Sequence, residues 1–315
     1  MNVDNIRRIT VIGAGRMGHG IGQEFALAGY EVFFFGRSEE RLQQAKDRVE
    51  RNLRELAELG IVSSSEIQSS IDRIETTTVL EKSVIEADLV IEAVTEDLKV
   101  KQQLFKNLDR VCPERTILAS NTSSLLPNML ASVTARPDRV LVAHYFNPPY
   151  LMPLVEIVRS EFTSDDTVNT VYELMKKVGK SPIIVQKEAL GFIANRLQMV
   201  LWREAFNIVQ RGIASPQDVD IAVKNSFGRR LGVVGPFELY EYIDGWDQIL
   251  QIEKYMLPDM DSSNESYPLL REMVEKGELG EKTGKGFYEW TPQFTEAWRK
   301  KIEKNLIRFL LEGKE

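Results

Sequence analysis

One histidine and one glutamate are spaced so that they could act together on a proton. The chain has only two histidines, and His144 ends an apolar run at 140–143 that is typical of a central strand of a parallel sheet. Glu156 lies in a second apolar run, after a turn that contains Pro148 and Pro149. If the second strand returns beside the first, the carboxylate fixes the tautomer of the imidazole and favours its protonated form. The pair predicts an oriented general base, and a core histidine satisfied by a nearby acid is the alternative interpretation.

A glycine-rich turn follows the first predicted strand. Gly13, Gly15 and Gly18 have the spacing G-x-G-x-x-G, with a strand pattern before them and a helical pattern after them. In that context the backbone amides at the helix start hold the pyrophosphate of a dinucleotide, because no Cβ intervenes. The motif therefore predicts binding of NAD or NADP. His19, in the first helical turn, is interpreted as structural or as lining the cofactor cleft, and not as the base.

The residues after the second predicted strand bear on the choice of cofactor. An acid at that position would hold the adenosine ribose of NAD, but this chain has Gly36, Arg37 and Ser38 there. A small residue, a cation and a hydroxyl suit a 2′-phosphate, so we expect a slight preference for NADP. In the other interpretation Ser38 caps the next helix, with Glu39 in its first turn. The two roles are compatible.

Helical and strand patterns alternate up to residue 186, and the strand signal then ends. The strand at 116–119 brings the Ser/Thr-rich segment 120–124 to a carboxyl edge, where ligands bind in open α/β sheets. From Gly191 onward the patterns are helical. We therefore predict an α/β fold in three parts. They are a Rossmann-type dinucleotide-binding domain (residues 1–187), an all-α domain for substrate binding and dimerisation (188–290) and a C-terminal helical extension (291–315).

Composition limits the kinds of partner. The 315 residues carry a formal net charge of -7, which argues against nucleic acid or an anionic membrane as the main partner. The single cysteine, Cys112, excludes an internal disulfide and suits a reducing cytoplasm. No apolar run is long enough to span a bilayer, and no targeting segment precedes the first strand. We expect a cytoplasmic protein that acts on a small molecule, without a bound metal.

Seven segments, in their order and spacing, resemble the 3-hydroxyacyl-CoA dehydrogenase family. They are GAGRMG (13–18), SNTSS (120–124), HYFNP (144–148), LVE (154–156), GFIANR (191–196), GPFE (235–238) and KTGKGFY (282–288). The resemblance implies that His144 is the general base and Glu156 its orienting partner. It implies further hydrogen bonds to the substrate oxygen from Ser123 and Asn195. The residues that it places around the cofactor are Glu96, Lys101, Ser123, Asn147 and Lys282.

Two departures from the family leave the substrate open. Asn52 and Leu59 stand where CoA-using members resemble one another in having a serine and a lysine. The segments 147–153 and 228–231 look more like the branch that contains L-gulonate 3-dehydrogenase and lambda-crystallin. In that branch an arginine at the position of Arg230 binds the carboxylate of a free hydroxy acid, a role that suits a guanidinium. In the other interpretation Arg230 is a solvated surface residue.

The predicted reaction is reversible hydride transfer between a nicotinamide and a secondary alcohol. A base must take the hydroxyl proton as hydride leaves the same carbon. We expect the substrate to be a 3-hydroxyacyl-CoA, such as 3-hydroxybutyryl-CoA, because the segments 121–124 and 144–148 have the form found in CoA-using members. A free 3-hydroxy acid is the alternative. A non-catalytic dinucleotide-binding or structural protein is the alternative of another class.

A long helix predicted over residues 191–211 carries apolar residues on more than one face. A small domain cannot readily cover so wide a stripe, so we expect a homodimer with a two-fold interface through the helical domain. The family resemblance also implies a dimer. The extension has apolar residues at helical spacing, which predicts an amphipathic helix that packs across the partner or onto its own domain. These residues are Phe294, Trp298, Ile302, Leu306 and Leu310.

Overall fold

A computed structural model describes residues 2–243 and 245–312 of the chain. The chain forms two compact units. The first runs to Asn195 and includes a C-terminal segment that begins at Glu303, and the second comprises Arg196–Ile302. The domain boundaries expected after residues 187 and 290 remain a prediction.

A sheet of eight strands forms the centre of the first unit. In chain order the strands are β1 (Arg8–Ile12), β2 (Glu31–Phe35), β3 (Ile74–Thr77), β4 (Leu89–Glu92), β5 (Ile117–Ser120), β6 (Val140–Tyr145), β7 (Leu154–Arg159) and β8 (Ser181–Val185). Their order across the sheet is β3-β2-β1-β4-β5-β6-β7-β8, and β6 and β7 are the antiparallel pair in an otherwise parallel sheet. The strand order changes direction at β1, where such sheets bind dinucleotides. The predicted Rossmann-type α/β fold is confirmed.

Helices cover both faces of this sheet. They are α1 (Gly18–Leu27), α2 (Glu39–Glu58), α3 (Ser64–Asp72), α4 (Leu80–Val84), α5 (Leu98–Val111), α6 (Pro127–Ala131) and α7 (Asp165–Lys177), with 3-10 turns at Val3–Asn5 and Pro137–Arg139. A first core cluster includes Phe25 of α1 and Leu53 of α2, and a second includes Phe105 of α5. The strands are therefore buried on both sides, which explains their continuous apolar runs.

Side-chain caps begin helices α2 and α3. The Oγ of Ser38 accepts a hydrogen bond from the N–H of Arg41 at 3.4 Å at the start of α2. Ser63 and Glu66 form both bonds of a capping box at the start of α3. Both caps satisfy backbone donors that a helix start leaves unpaired.

The second unit is helical. The remaining helices of the chain are α8 (Ala194–Gln210), α9 (Pro216–Asn225), α10 (Phe227–Arg230), α11 (Pro236–Ile243), α12 (Gly245–Met256), α13 (Pro268–Glu275) and α14 (Pro292–Glu312). The described residues of this unit contain isolated β-bridges at Gly280, Lys285 and Glu289 but no strand. Few of their side chains are buried, and Leu239 and Tyr267 are the hydrophobic ones. The expectation that the C-terminal domain is helical is confirmed.

The end of α14 packs onto its own chain. Leu306, Ile307 and Leu310 are partly buried against the first core cluster. In the single chain this end of the extension therefore belongs to the sheet-containing unit, and packing across a partner remains a prediction. Within residues 2–243 and 245–312, no helix has the length and apolar character needed to cross a membrane.

Candidate active site

His144 and Glu156 are direct neighbours across the antiparallel strand pair. The register of β6 and β7 sets these two residues opposite each other. Residues opposite each other in an antiparallel pair project from the same face of the sheet. His144 Nδ1 therefore lies 2.8 Å from Glu156 Oε2, and the two residues are 3% and 0% exposed.

Backbone groups hold the other oxygen of Glu156. Its Oε1 accepts hydrogen bonds from the N–H groups of Ile193 and Ala194, each at 2.9 Å. The preceding residue, Phe192, has a φ of 50°, in the left-handed region, which costs a residue with a Cβ about 1–3 kcal/mol. Its buried ring has its centroid 5.4 Å from that of His144. Phe192 thus packs against the imidazole and immediately precedes the two N–H groups that bind Glu156. No periodic pattern in the sequence indicated this role.

The electrostatic setting of Glu156 defines the tautomer of His144. Burial raises the pKa of Glu156, but the hydrogen bonds from His144, Ala194 and Ile193 outweigh burial and lower it below its ordinary value. An ionised carboxylate only accepts hydrogen bonds, so Nδ1 of His144 carries a proton and donates it to Oε2. In the neutral ring Nε2 then has no proton and can accept one. This is the tautomer that a general base requires.

Ser123 lies against the proton-accepting nitrogen. Its Oγ is 3.1 Å from His144 Nε2. The loop that carries Ser123 follows β5, and Glu96 Oε1 accepts a hydrogen bond from the N–H of Ser123 at 3.2 Å. Asn121 in the same loop accepts a hydrogen bond from the N–H of Tyr145 at 2.8 Å, which joins the loop to β6. The site is therefore a continuous chain of bonds from the loop through the imidazole to Glu156.

Glu96 and Lys101, which the family resemblance placed around the cofactor, are bonded within the protein. Lys101 Nζ lies 2.6 Å from Glu92 Oε1 and 3.3 Å from Glu96 Oε2, and its side chain is 1% exposed. Burial raises the pKa of Glu96, but the hydrogen bonds from Thr122 and Ser124 and the charge of Lys101 lower it overall. Glu92, which lies in the buried strand β4, was not among the residues predicted from the sequence. A carboxylate in an otherwise apolar run is the signal that points to a nearby cation.

The other predicted site residues are distributed over both units. Asn195 is half-buried at the start of α8, directly after the donors on Glu156. Asn147 is exposed in the turn after β6. Arg230 and Lys282 belong to the second unit and are exposed there. In the part of the chain that the structure describes, neither of these two side chains forms an ion pair.

The glycine turn offers space and donors for a pyrophosphate. A Cβ at Gly15 would meet no protein atom within 4 Å, whereas a Cβ at Gly18 would lie 2.0 Å from the carbonyl oxygen of Gly13. Helix α1 starts without a side-chain cap, and a helix start of this kind can accept the negative charge of a pyrophosphate. His19 Nδ1 lies 2.7 Å from the carbonyl oxygen of Gly15, and burial lowers the pKa of this imidazole. The turn fits a dinucleotide, with His19 as a structural residue beside it.

The residues after β2 have structural roles of their own. Ser38 caps α2, as the second interpretation of this segment predicted. A Cβ at Gly36 would lie 3.1 Å from Leu42 Cδ2, so glycine here serves the packing of α2 on the sheet. Arg37 is exposed and remains the residue on which a preference for NADP would depend.

The sheet order, the open glycine turn and the buried imidazole–carboxylate pair define the class of the protein: a nicotinamide-dependent dehydrogenase. Comparisons of the sequence with known families identify the family of dehydrogenases. The model for the 3-hydroxyacyl-CoA dehydrogenase NAD-binding domain matches residues 8–189, and that for the C-terminal domain of the same family matches residues 191–290. The chain belongs to the 3-hydroxyacyl-CoA dehydrogenase family, as the seven segments predicted, and is an NAD-dependent oxidoreductase acting on CH–OH groups.

Relatives of two kinds are similar to this chain. A probable 3-hydroxybutyryl-CoA dehydrogenase of Bacillus subtilis is 39% identical over 286 residues, which cover 90% of this chain and 98% of that protein. A solved (S)-3-hydroxybutyryl-CoA dehydrogenase from Ralstonia eutropha is 35% identical with a TM-score of 0.78, and covers 91% of this chain and 100% of its own. The 5-formyl-3-hydroxy-2-methylpyridine 4-carboxylate 5-dehydrogenase of Mesorhizobium japonicum is 30% identical and covers 98% of this chain and 100% of its own. A solved structure of an enzyme with this activity, described as an NAD+ dependent dismutase, has a TM-score of 0.91.

Proposed function

We propose that the chain catalyses the reversible oxidation of the 3-hydroxyl of a 3-hydroxyacyl-CoA, such as 3-hydroxybutyryl-CoA, to the 3-keto form with NAD. The observation that supports this reaction is the chain of bonds from Ser123 Oγ through His144 to Glu156. The thioester substrate follows from relatives with that substrate in their names, at 36–39% identity over about nine-tenths of the chain.

The protein's part in the reaction is to hold the alcohol and to move its proton. His144 Nε2 takes the hydroxyl proton, and Glu156 stabilises the imidazolium that forms. Ser123 Oγ and the amide of Asn195 hold the substrate oxygen at Nε2. The glycine turn would hold NAD, whose nicotinamide would supply the hydride acceptor. In the reverse direction the imidazolium returns its proton to the carbonyl oxygen.

The proposal is tested by initial rates with a panel of substrates. The panel contains acetoacetyl-CoA and longer 3-ketoacyl-CoAs with NADH, and 3-hydroxybutyryl-CoA and free 3-hydroxy acids with NAD. We expect turnover of the CoA thioesters in both directions. A purified, folded enzyme that turns over no member of the panel would contradict the proposed reaction and favour a dinucleotide-binding protein without catalysis.

Oxidation of the hydroxyl of a free 3-hydroxy acid is a second candidate, which a specific observation favours. The pyridine-carboxylate dehydrogenase matches 98% of this chain, whereas the family models end at residue 290 and leave out the extension. In addition, Asn52 is buried and donates a hydrogen bond to Gln23 at 2.9 Å, so it is not free to bind a nucleotide. The likeness to the L-gulonate 3-dehydrogenase and lambda-crystallin branch remains a prediction.

Replacement of Arg230 separates the two substrate classes. If a free carboxylate is bound there, Arg230→Ala raises the KM for a hydroxy acid by the equivalent of about 1.5–3 kcal/mol, the value of a lost charge-assisted hydrogen bond. Turnover of a CoA thioester is expected to be unchanged, because it has no carboxylate at that position. Arg229→Ala, which removes the adjacent exposed guanidinium, is the matched control for both measurements. If Arg230→Ala leaves the KM for every hydroxy acid of the panel unchanged, Arg230 does not bind the substrate carboxylate.

The use of NADP beside NAD is a separate prediction. If Arg37 binds a 2′-phosphate, Arg37→Ala lowers kcat/KM for NADPH and leaves that for NADH unchanged. Arg41→Ala, one turn further along α2, is the control, since its side chain is also exposed and its backbone bond to Ser38 is retained. The named relatives give no support to a preference for NADP. If Arg37→Ala lowers kcat/KM equally for NADH and NADPH, Arg37 does not determine the choice of cofactor.

A homodimer formed through the helical segment is likewise proposed. Large apolar side chains of α8 are exposed in the single chain, including Leu197 at 60%, Met199 at 59% and Trp202 at 49%. Soluble proteins rarely leave so many apolar side chains of one helix in water, and a second copy would cover them. Light scattering at micromolar concentration should report twice 36.0 kDa. An active species at the single mass would exclude the dimer.

A further inference from the structure

A buried carboxylate that the proposed reaction does not use lies beside the candidate active site. Glu92 is the last residue of β4, is 0% exposed and pairs in register with Ser120 of β5. Its Oε1 accepts hydrogen bonds from Lys101 Nζ and from the N–H of Val94, each at 2.6 Å, and its Oε2 accepts one from Ser120 Oγ at 2.6 Å. A charge inside a parallel sheet is costly unless it is paired and fully hydrogen-bonded, and Glu92 meets both conditions.

Lys101 connects Glu92 to the loop that carries Ser123. Its ammonium lies between two carboxylates, 2.6 Å from Glu92 and 3.3 Å from Glu96 Oε2. The other oxygen of Glu96 accepts hydrogen bonds from the N–H groups of Ser123 and Ser124, both at 3.2 Å, and from Ser124 Oγ at 2.8 Å. The orientation of the Glu96 carboxylate is therefore set on one side by Lys101 and on the other side by the loop.

We propose that Glu92 is a positioning residue for the reaction, which holds Ser123 against His144 through Lys101 and Glu96. The inference rests on the proposed function, in which His144 is the base. With both carboxylates charged, the Lys101 ammonium is balanced between them and Glu96 keeps Oε1 on the loop amides. Without the charge of Glu92, Lys101 moves towards Glu96, and that carboxylate turns away from the loop. Ser123 Oγ then loses its place 3.1 Å from His144 Nε2.

The test is Glu92→Gln, which keeps the shape and an acceptor oxygen but removes the charge. We expect kcat to fall by about tenfold to a hundredfold, the range that a displaced reacting group produces. The deuterium isotope effect with NADH labelled on the transferred hydrogen should rise, because the chemical step becomes slower than product release. A loss of stability by itself would change neither quantity per folded active site.

Asp109→Asn is the matched control. Asp109 lies on α5, as Lys101 does, and forms a partly buried ion pair with Arg136 at 2.8 Å, near the amino end of β6. Its loss should lower the melting temperature but leave kcat and the isotope effect unchanged. The double variant Glu92→Gln/Lys101→Met removes both buried charges, so it folds even if an unpaired Lys101 prevents folding of the single variant. Because Lys101 is itself predicted to contact the cofactor, the readout for this double variant is the distance from Ser123 Oγ to His144 Nε2 and not kcat. We expect that distance to lengthen, since the link from Glu92 through Lys101 to Glu96 is broken in both variants.

A crystal structure of the folded variant gives a readout that does not depend on turnover. We expect Ser123 Oγ to lie beyond about 3.5 Å from His144 Nε2, outside hydrogen-bond distance. An unchanged distance, or wild-type kcat with an unchanged isotope effect, would overturn the role of Glu92. Failure of the wild-type enzyme to turn over the substrate panel would instead contradict the proposed function, and the Ser123–His144 distance would still decide whether Glu92 positions the loop.

Discussion

Replacement of His144 by alanine should lower kcat by a factor of about a hundred to several thousand, the contribution of a positioned general base. The proton of the substrate hydroxyl would have no acceptor at the place where Nε2 now lies 3.1 Å from Ser123 Oγ. The affinity for NADH should be nearly unchanged, because the glycine turn is built from a separate strand–helix connection. Stopped-flow or steady-state rates with acetoacetyl-CoA, together with fluorescence titration of NADH, measure the two quantities.

A second variant, at the orienting carboxylate, is expected to have a smaller effect. Glu156→Gln keeps a hydrogen-bond acceptor near His144 Nδ1 but removes the charge that stabilises the imidazolium, so it should lower kcat less than His144→Ala. Circular dichroism of both variants controls for folding. A folded His144→Ala enzyme with the turnover of the wild type would refute the catalytic assignment.

The second large effect is expected from Gly18→Ala. The new Cβ would lie 2.0 Å from the carbonyl oxygen of Gly13 and 3.2 Å from Val11 Cγ1, and the backbone oxygen cannot move without opening the turn. Overpacking of this kind should lower the free energy of unfolding by about 3 kcal/mol. Differential scanning calorimetry of the cofactor-free protein measures the loss.

Gly15→Ala is the partner experiment to Gly18→Ala. Its Cβ would meet no protein atom within 4 Å, so the melting temperature of the cofactor-free protein should be unchanged. A bound pyrophosphate would meet the same Cβ, so the affinity for NADH should fall by about tenfold or more, equivalent to about 1.4 kcal/mol. If Gly15→Ala binds NADH as tightly as the wild type, the pyrophosphate does not rest on this turn.

Much of the fold could be predicted because its signals are local. The strand–turn–helix context of Gly13, Gly15 and Gly18 fixed the dinucleotide-binding end of the sheet. The apolar runs that end at His144 and surround Glu156 predicted two strands, and a strand pair was sufficient to bring the side chains together. The register that sets the two residues opposite each other could not be predicted from the sequence, because several registers bury equally apolar runs.

The parts of the site that escaped prediction depend on long-range contacts. The pairing of Glu92 with Lys101 joins β4 to α5, and only the folded sheet brings the ammonium 2.6 Å from the carboxylate. The left-handed conformation of Phe192 follows from its tertiary surroundings, since a phenylalanine has no local preference for it. The slight preference for NADP rested on residues after β2, of which Ser38 is used as a helix cap.

The position of Glu156 links the acid sensitivity of activity to that of the fold. The same carboxylate that orients His144 also accepts hydrogen bonds from the N–H groups of Ile193 and Ala194, where α8 begins. Because its pKa in the folded protein is lower than in the unfolded chain, its stabilising contribution is present at neutral pH and is lost as the pH falls through the folded pKa. Protonation of one carboxyl group therefore withdraws the partner of the base and loosens the start of a helix at the same time. The part of the acid inactivation that comes from Glu156 is therefore accompanied by a loss of stability.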